Sequence, residues 1–164
     1  LPDFRASERT FGLVSQVAGR AGRGPKGGVV VVQTLTPEHF GIQAAARHDY
    51  LGFAKVEIAQ RAELGYPPVG ALARIVLRGE DEEKVKEAAA RVRQALDASA
   101  AQEVKILGPV PAPLARIMRN FRYHIIVKAP EWKSLAQTLS AARKTVRATA
   151  AVEGIIDVDP LSML

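Results

Sequence analysis

Two arginines three residues apart, Arg20 and Arg23, lie among small residues in the stretch QVAGRAGRG, Gln16 to Gly24. A guanidinium is permanently charged and presents a planar fork of donors matched to phosphate oxygens. Glycine lets backbone come close without side-chain collision. Spacing alone therefore allows an arginine pair that reads a triphosphate carried by a neighbouring domain. It equally allows a solvated glycine loop after a helix. The stretch GRGPKGG that follows is not a phosphate loop of the G-x-x-x-x-G-K-[ST] kind, because Lys26 is followed by Gly27. Nor is it a dinucleotide fingerprint, since its glycines follow a helical pattern and not a strand.

A second set of charges lies further on. Residues 103–152 hold nine Lys and Arg against two acids, Glu103 and Glu131, within a chain of net charge +6. Arg116, Arg119 and Arg122 fall between two short strand patterns, so they are expected to gather at one end of a sheet and to contact DNA phosphates. Whether Arg143, Lys144 and Arg147 join that patch is not readable from sequence. An acidic peptide, or solvent alone, is the competing partner for such a block. Asp157 and Asp159, at i and i+2 on one expected strand face, could hold a cation, but no third ligand is near in sequence, and a solvated or ion-paired edge is the better reading. His124 reads as a packed strand residue. Cysteine is absent and the three histidines, His39, His48 and His124, are far apart. That argues against a thiolate or histidine metal site, and no nucleophile and base stand together. Taken alone, the chain is expected to be catalytically inactive.

The elements that carry these residues follow from periodicity. Residues 6–23 read as a helix with Phe11, Val14, Val17, Ala18 and Ala21 as its buried stripe. Gln16, Arg20 and Arg23 share an adjoining arc. GGVVVVQT reads as a strand buried on both faces. A helix then starts at Thr36 as N-cap, with Pro37 at its first position, and runs to about Leu64 with a break near His48–Tyr50. LGYPPVG stops all regular structure and divides the chain into residues 1–65 and 66–164. The second part reads as a strand over Leu72–Arg78, a helix over Glu80–Ala100 and a strand over Val104–Leu107. The loop GPVPAPLARIMRN, a strand over Arg122–Lys128, a helix over Pro130–Ala151 and a strand over Ile155–Val158 complete it. Trp132, Leu135, Ala136, Leu139 and Val146 form the second helix's stripe. The order βαββαβ is that of the α+β ferredoxin-like fold, an antiparallel sheet with both helices on one face. An RNA-recognition sheet is disfavoured, because Tyr123 alone could stack a base. The longest apolar runs are too short to span a membrane and no signal peptide opens the chain, so a cytoplasmic location is expected. Leu1 reads as a cut through a longer protein.

QVAGRAGR resembles motif VI of superfamily 2 helicases. The longer run LPDFRASERTFGLVSQVAGRAGRG, then QTLTPEHFGIQAAARHDY, ELGYPP and the closing IDVDPLSML, resembles in order the bacterial primosomal protein N′ (PriA) family of replication-restart helicases. The resemblance covers essentially the whole chain. It implies the C-terminal part of an ATP-dependent 3′→5′ DNA helicase that recognises stalled or abandoned forks and restarts replication by primosome assembly. It further implies the tail of a second RecA-like motor lobe, followed by a domain like ribosomal protein S10. Arg20 and Arg23 match the motif's arginine fingers. With Gln16 and Gly19 they match residues that meet ATP and Mg²⁺, which are held mainly by parts of the family not in this chain. Zinc-binding cysteines of the family are absent here. Implied partners are fork and single-stranded DNA, single-stranded DNA-binding protein and primosome proteins. The other class of function in view is a freestanding module that grips nucleic acid or an acidic peptide without catalysis.

Overall fold

The computed structural model describes residues 3–21, 28–147 and 151–163. Contacts divide the chain into two compact units, Asp3–Gln60 and Arg61–Leu164. Arg23 and the end of the first expected helix lie outside the described residues, as do residues 148–150 of the last expected helix.

The first unit holds α1 (Ala6–Ala21), α2 (Phe40–Ala46) and most of α3 (Tyr50–Leu64). Its centre is aromatic: Phe11 and Phe53 stack with ring centroids 4.3 Å apart, and Phe40 lies 5.6 Å from Phe53. Among the described residues Phe11, Ala45 and Phe53 form its buried cluster, with Val14, Phe40 and Ala44 packed against them. The stripe expected on α1 is therefore narrower, since Val17 is exposed while Val14 and Ala18 are half-buried. Thr36 is not the N-cap. His39 holds that position, its Nδ1 accepting from the Gly41 N–H at 3.1 Å, and the helix opens at Phe40 and not at Pro37. The expected break is present: His48 takes φ 55°, and Asp49 Oδ1 accepts from the Gly52 N–H at 2.8 Å to start α3.

The valine run is not a strand. Residues 28–34 carry no ladder, and Val29 and Val31 are 90% and 87% exposed. β-propensity supplies side chains suited to a sheet but no hydrogen-bonding neighbour. Among the described residues no strand lies beside it for the run to pair with.

The second unit is built from β1 (Ala71–Gly79), α4 (Glu82–Ser99), β2 (Lys105–Ile117), β3 (Asn120–Ala129), α5 (Trp132–Arg147) and β4 (Glu153–Val158). Its antiparallel sheet has the order β2-β3-β1-β4. Alternation decides the faces. Ala71, Ala73, Ile75 and Leu77 pair with Ala129, Val127, Ile125 and Tyr123, and all eight enter one core with the apolar stripes of α4 and α5. From α4 come Val85, Ala88, Ala89, Val92 and Leu96, and from α5 Leu135, Leu139, Ala142 and Val146. Trp132 and Ala136, expected on the α5 stripe, are exposed. Asp81 caps α4 by accepting from the Lys84 N–H at 3.2 Å, which holds its carboxyl below the usual range.

The expected loop GPVPAPLARIMRN is the larger correction. β2 runs on through it to Ile117, and Ile117 pairs with Asn120, so Met118 and Arg119 alone make the turn. Prolines did not exclude a strand because β2 is an edge. Pro109 falls in the register shift between Leu107 and Val110, and Pro113 in that between Pro111 and Arg116, where the ladder is already interrupted and a missing N–H costs few bonds. The ladder is irregular between Pro111 and Arg116, where β2 carries extra residues against β3.

Candidate nucleic-acid interface

In the first unit, Gln16 and Arg20 are exposed and four residues apart on α1, hence on one face. Gly19 is exposed too, and a Cβ there would meet nothing within 4 Å. The helix thus offers an amide and a guanidinium beside an open lane of backbone, a surface that could meet an anion. Arg23 lies outside the described residues.

In the second unit three arginines lie at the β2–β3 hairpin end. Arg116 is opposite Phe121, Arg119 is in the turn, and Arg122 is one residue further along β3. The three share the end of one hairpin but not one face. Tyr123, Ile125 and Val127 point to the helices, so Phe121 and its partner Arg116 stand on that side. The Arg116 guanidinium lies over the Phe121 ring, 4.9 Å from its centroid, a cation–π contact that holds it in place. Arg122 stands on the opposite face and donates from Nη1 to the Leu114 carbonyl at 3.1 Å. Among the described residues none of the three has a carboxylate partner. The chain from Val104 to Pro130 contains no Asp or Glu at all.

Sequence reading missed the residues beside Arg122. Arg78 is directly opposite it on β1, and Arg74 is four residues along the same face. Like charges directly opposite on a sheet are destabilising. Arg78 is offset by Glu153 on β4, at 2.8 Å, and Arg74 by Asp157 at 3.3 Å. Arg122 has no such offset. Burial first, then Arg74 and Arg78, lowers its pKa, yet a guanidinium stays charged at neutral pH. Positive potential left uncompensated there is what an incoming phosphate would neutralise. The signal was available in the period-two placement of Arg74 and Arg78, though not which strand would face them.

The other charged groups go elsewhere. His124 is buried on the same face as Arg74 and Arg122, with Nδ1 unpartnered. Burial, then those two arginines, pushes its imidazole below the usual value. Tyr123 is on the helix side, where its hydroxyl donates to Glu82 Oε1 at 3.0 Å, so it forms no base-stacking platform. Arg143 and Arg147 border a groove of about 400 Å³ between α5 and β4, apart from the hairpin. Asp157 is the acceptor of Arg74. Asp159 lies beyond the end of β4 with φ 50°, so the two aspartates do not share a strand face. The zinc that the resemblance implies does not fit: cysteine is absent, and among the described residues no three His, Cys, Asp or Glu converge. Among the same residues no helix is long and apolar enough to cross a membrane.

Comparison with known sequences decides the family. The sequence model of the Primosomal protein N C-terminal domain matches residues 62–161. The chain belongs to the PriA family. It is 41% identical over 139 residues to replication restart protein PriA of Bacillus subtilis, covering 85% of this chain and 17% of that protein. It is 37% identical to replication restart protein PriA of Synechocystis over 98% of this chain and 19% of that protein. The Treponema pallidum protein of the same name is 37% identical over 99% of this chain and 25% of its own length. The chain therefore spans between about a sixth and a quarter of these relatives. It matches PriA only as a C-terminal portion.

Proposed function

We propose that this chain is the C-terminal portion of an ATP-dependent 3′→5′ DNA helicase that restarts replication at stalled or abandoned forks. In this reading residues 66–164 form a ferredoxin-like, ribosomal protein S10-like domain that holds DNA. Residues 1–65 end the second motor lobe. Support for the fold assignment is the strand order β2-β3-β1-β4 with both helices on one face. The observation that carries the DNA reading is the hairpin of Arg116, Arg119 and Arg122 without a carboxylate partner, in a stretch of 27 residues, Val104 to Pro130, free of acids. Phosphate contacts of this kind give affinity and position, and little sequence preference.

ATP with Mg²⁺ would be bound mainly by other parts of the complete protein and would supply the energy of strand separation. Arg20, with Gln16 beside it, fits the role of a guanidinium presented to phosphate oxygens across the lobe boundary, because it is exposed next to open backbone. Single-stranded DNA-binding protein and primosome proteins are the further partners in this reading, and a cytoplasmic location goes with it.

Titration of the chain against forked and single-stranded DNA at two salt concentrations tests the DNA reading. Affinity should fall steeply with salt, and each phosphate contact removed should lower the log–log slope by about one unit. The triple variant Arg116→Ala, Arg119→Ala, Arg122→Ala should bind more weakly with a shallower slope. Unchanged binding by that variant removes the hairpin from the DNA site. If the wild-type chain fails to bind at low salt but takes up an acidic peptide, the freestanding peptide-binding module replaces the helicase-domain reading.

A further inference from the structure

Two-residue hairpin turns call for φ above zero, and glycine or asparagine fills them at least cost. This chain puts Met118 there, with φ 54°, and leaves its side chain 92% exposed. An unbranched apolar residue gains nothing from that position in the folded chain, and a left-handed backbone is unfavourable for it. Such a local conflict points to a use outside the fold. The turn also overhangs the sheet: the last residue of β1, Gly79, pairs with Phe121, so Ile117 to Asn120 extend past it. Ile117 and Leu114 below the tip are about half exposed, at 43% and 49%.

The charges flanking this tip are arranged on both sides of it. Arg116 stands on the helix-side face, Arg122 and Arg78 on the other, and Arg119 in the turn itself. A flat phosphate surface needs one basic face. A projection that is basic on two faces, with Met118 exposed beside Arg119 at its apex, fits between two phosphate backbones, with Met118 meeting something without charge. In a nucleic acid that something is the flat face of a base pair. A two-stranded ribbon can also lie in the major groove, where Arg119 could meet a base edge, but Met118, the other turn residue, has no hydrogen-bonding group for an edge, and its exposed thioether suits the face of a base pair.

We infer that Met118 is a wedge: the β2–β3 hairpin seats between the diverging strands of a DNA branch, its arginines on the phosphates and Met118 packed against the terminal base pair. This rests on the DNA-binding reading and adds a selectivity to it. Inserting an apolar side chain into a continuous stack requires unstacking a step, whereas a pair at a branch already exposes one face. The arginines then supply affinity for any duplex, and Met118 a preference for the place where the duplex ends.

The test compares a forked DNA carrying 2-aminopurine at the pair bordering the branch with a continuous duplex carrying it internally. Fluorescence and affinity are measured for the 164-residue chain, for Met118→Gly, and for the triple arginine variant. Glycine accepts the turn's φ, so loss of fold does not confound the first variant. Met118→Gly should bind the fork about 10-fold more weakly, a loss of about 1.4 kcal/mol. It should change continuous-duplex affinity less than twofold, keep the salt slope and lose the fluorescence response. Equal fork preference in wild type and Met118→Gly overturns the wedge while leaving the arginine site standing. Failure of the wild-type chain to bind either DNA overturns both. Binding of the chain to phosphatidylserine-rich vesicles that is lost in Met118→Gly, with fork binding kept, assigns the tip to a lipid surface instead.

Discussion

Met118 and His124 each carry a cost that their surroundings do not remove. For Met118 the cost is the left-handed backbone at φ 54°. Met118→Gly should therefore raise the stability of the chain, by about 1 kcal/mol, read as a higher urea midpoint at unchanged slope. A lower midpoint would show that the exposed side chain makes contacts in the folded state. The two readouts on one variant, stability up and fork binding down, are what a residue retained for function shows. For His124 the cost is electrostatic. Its imidazole is buried, and the charged groups facing it, Arg74 and Arg122, are both cations. Its folded pKa is lowered, so the folded state binds fewer protons than the unfolded one below the ordinary value of about 6.5. Stability is then unaffected above that value and falls as pH drops through it, until the lowered folded value is reached. Urea midpoints of the wild type should drop between pH 7.5 and a mildly acidic pH. In His124→Gln that drop should be smaller. Equal drops in both would place the pH sensitivity elsewhere.

Among the elements, those that send a regular alternating face or an apolar stripe into one core were legible. β1, α4, β3, α5 and β4 follow alternation or a stripe that ends on one core. The valine run at residues 28–34 was misread because its residues favour a ladder that nothing in the described structure supplies. β2 was read only as a strand over Val104–Leu107, and its continuation to Ile117 was missed for the opposite reason. Its prolines argue against an interior strand but not against an edge, and edge position is a tertiary fact. Of the candidate site, the three hairpin arginines could be named from sequence. Their division between two faces could not, since it depends on the register Arg116↔Phe121. The prolines also have a protective role, because an unpaired strand edge invites a second chain. Replacing Pro111 and Pro113 by valine restores two backbone N–H donors to this edge strand. Sedimentation at rising concentration should show greater self-association than the wild type. No difference would mean that the irregular ladder below Arg116 already blocks pairing.

The whole chain joins two units of unequal internal support. Among the described residues the second has a buried cluster of 19 apolar residues, from β1, β3, α4 and α5 with Val104 and Val152 just before β2 and β4, and the first has three. Residues 61–164 alone should then unfold cooperatively, with hydrogen-exchange protection in β1 and β3, while amides at 28–34 in the full chain exchange within seconds. Protected valine amides there would show pairing that the described structure lacks. The same inequality bears on how ATP turnover and DNA grip would be shared in the complete protein. Under the proposed role Arg20 acts across a lobe boundary on charge that develops only as the phosphoryl group is transferred. The hairpin arginines act on phosphates that are charged throughout. Arg20→Ala in the complete protein should reduce DNA-stimulated hydrolysis by about 10³-fold or more, the range of arginine fingers, with DNA affinity nearly unchanged. The hairpin triple variant should do the reverse: weaker DNA binding, with hydrolysis recovered at saturating DNA. Arg20→Lys separates charge from geometry, because a lysine keeps the positive charge but loses the planar fork. If Arg20→Lys restores hydrolysis fully, charge alone suffices at that position. If Arg20→Ala hydrolyses ATP like the wild type, Arg20 is a solvated helix residue and the finger role fails, whatever the hairpin does.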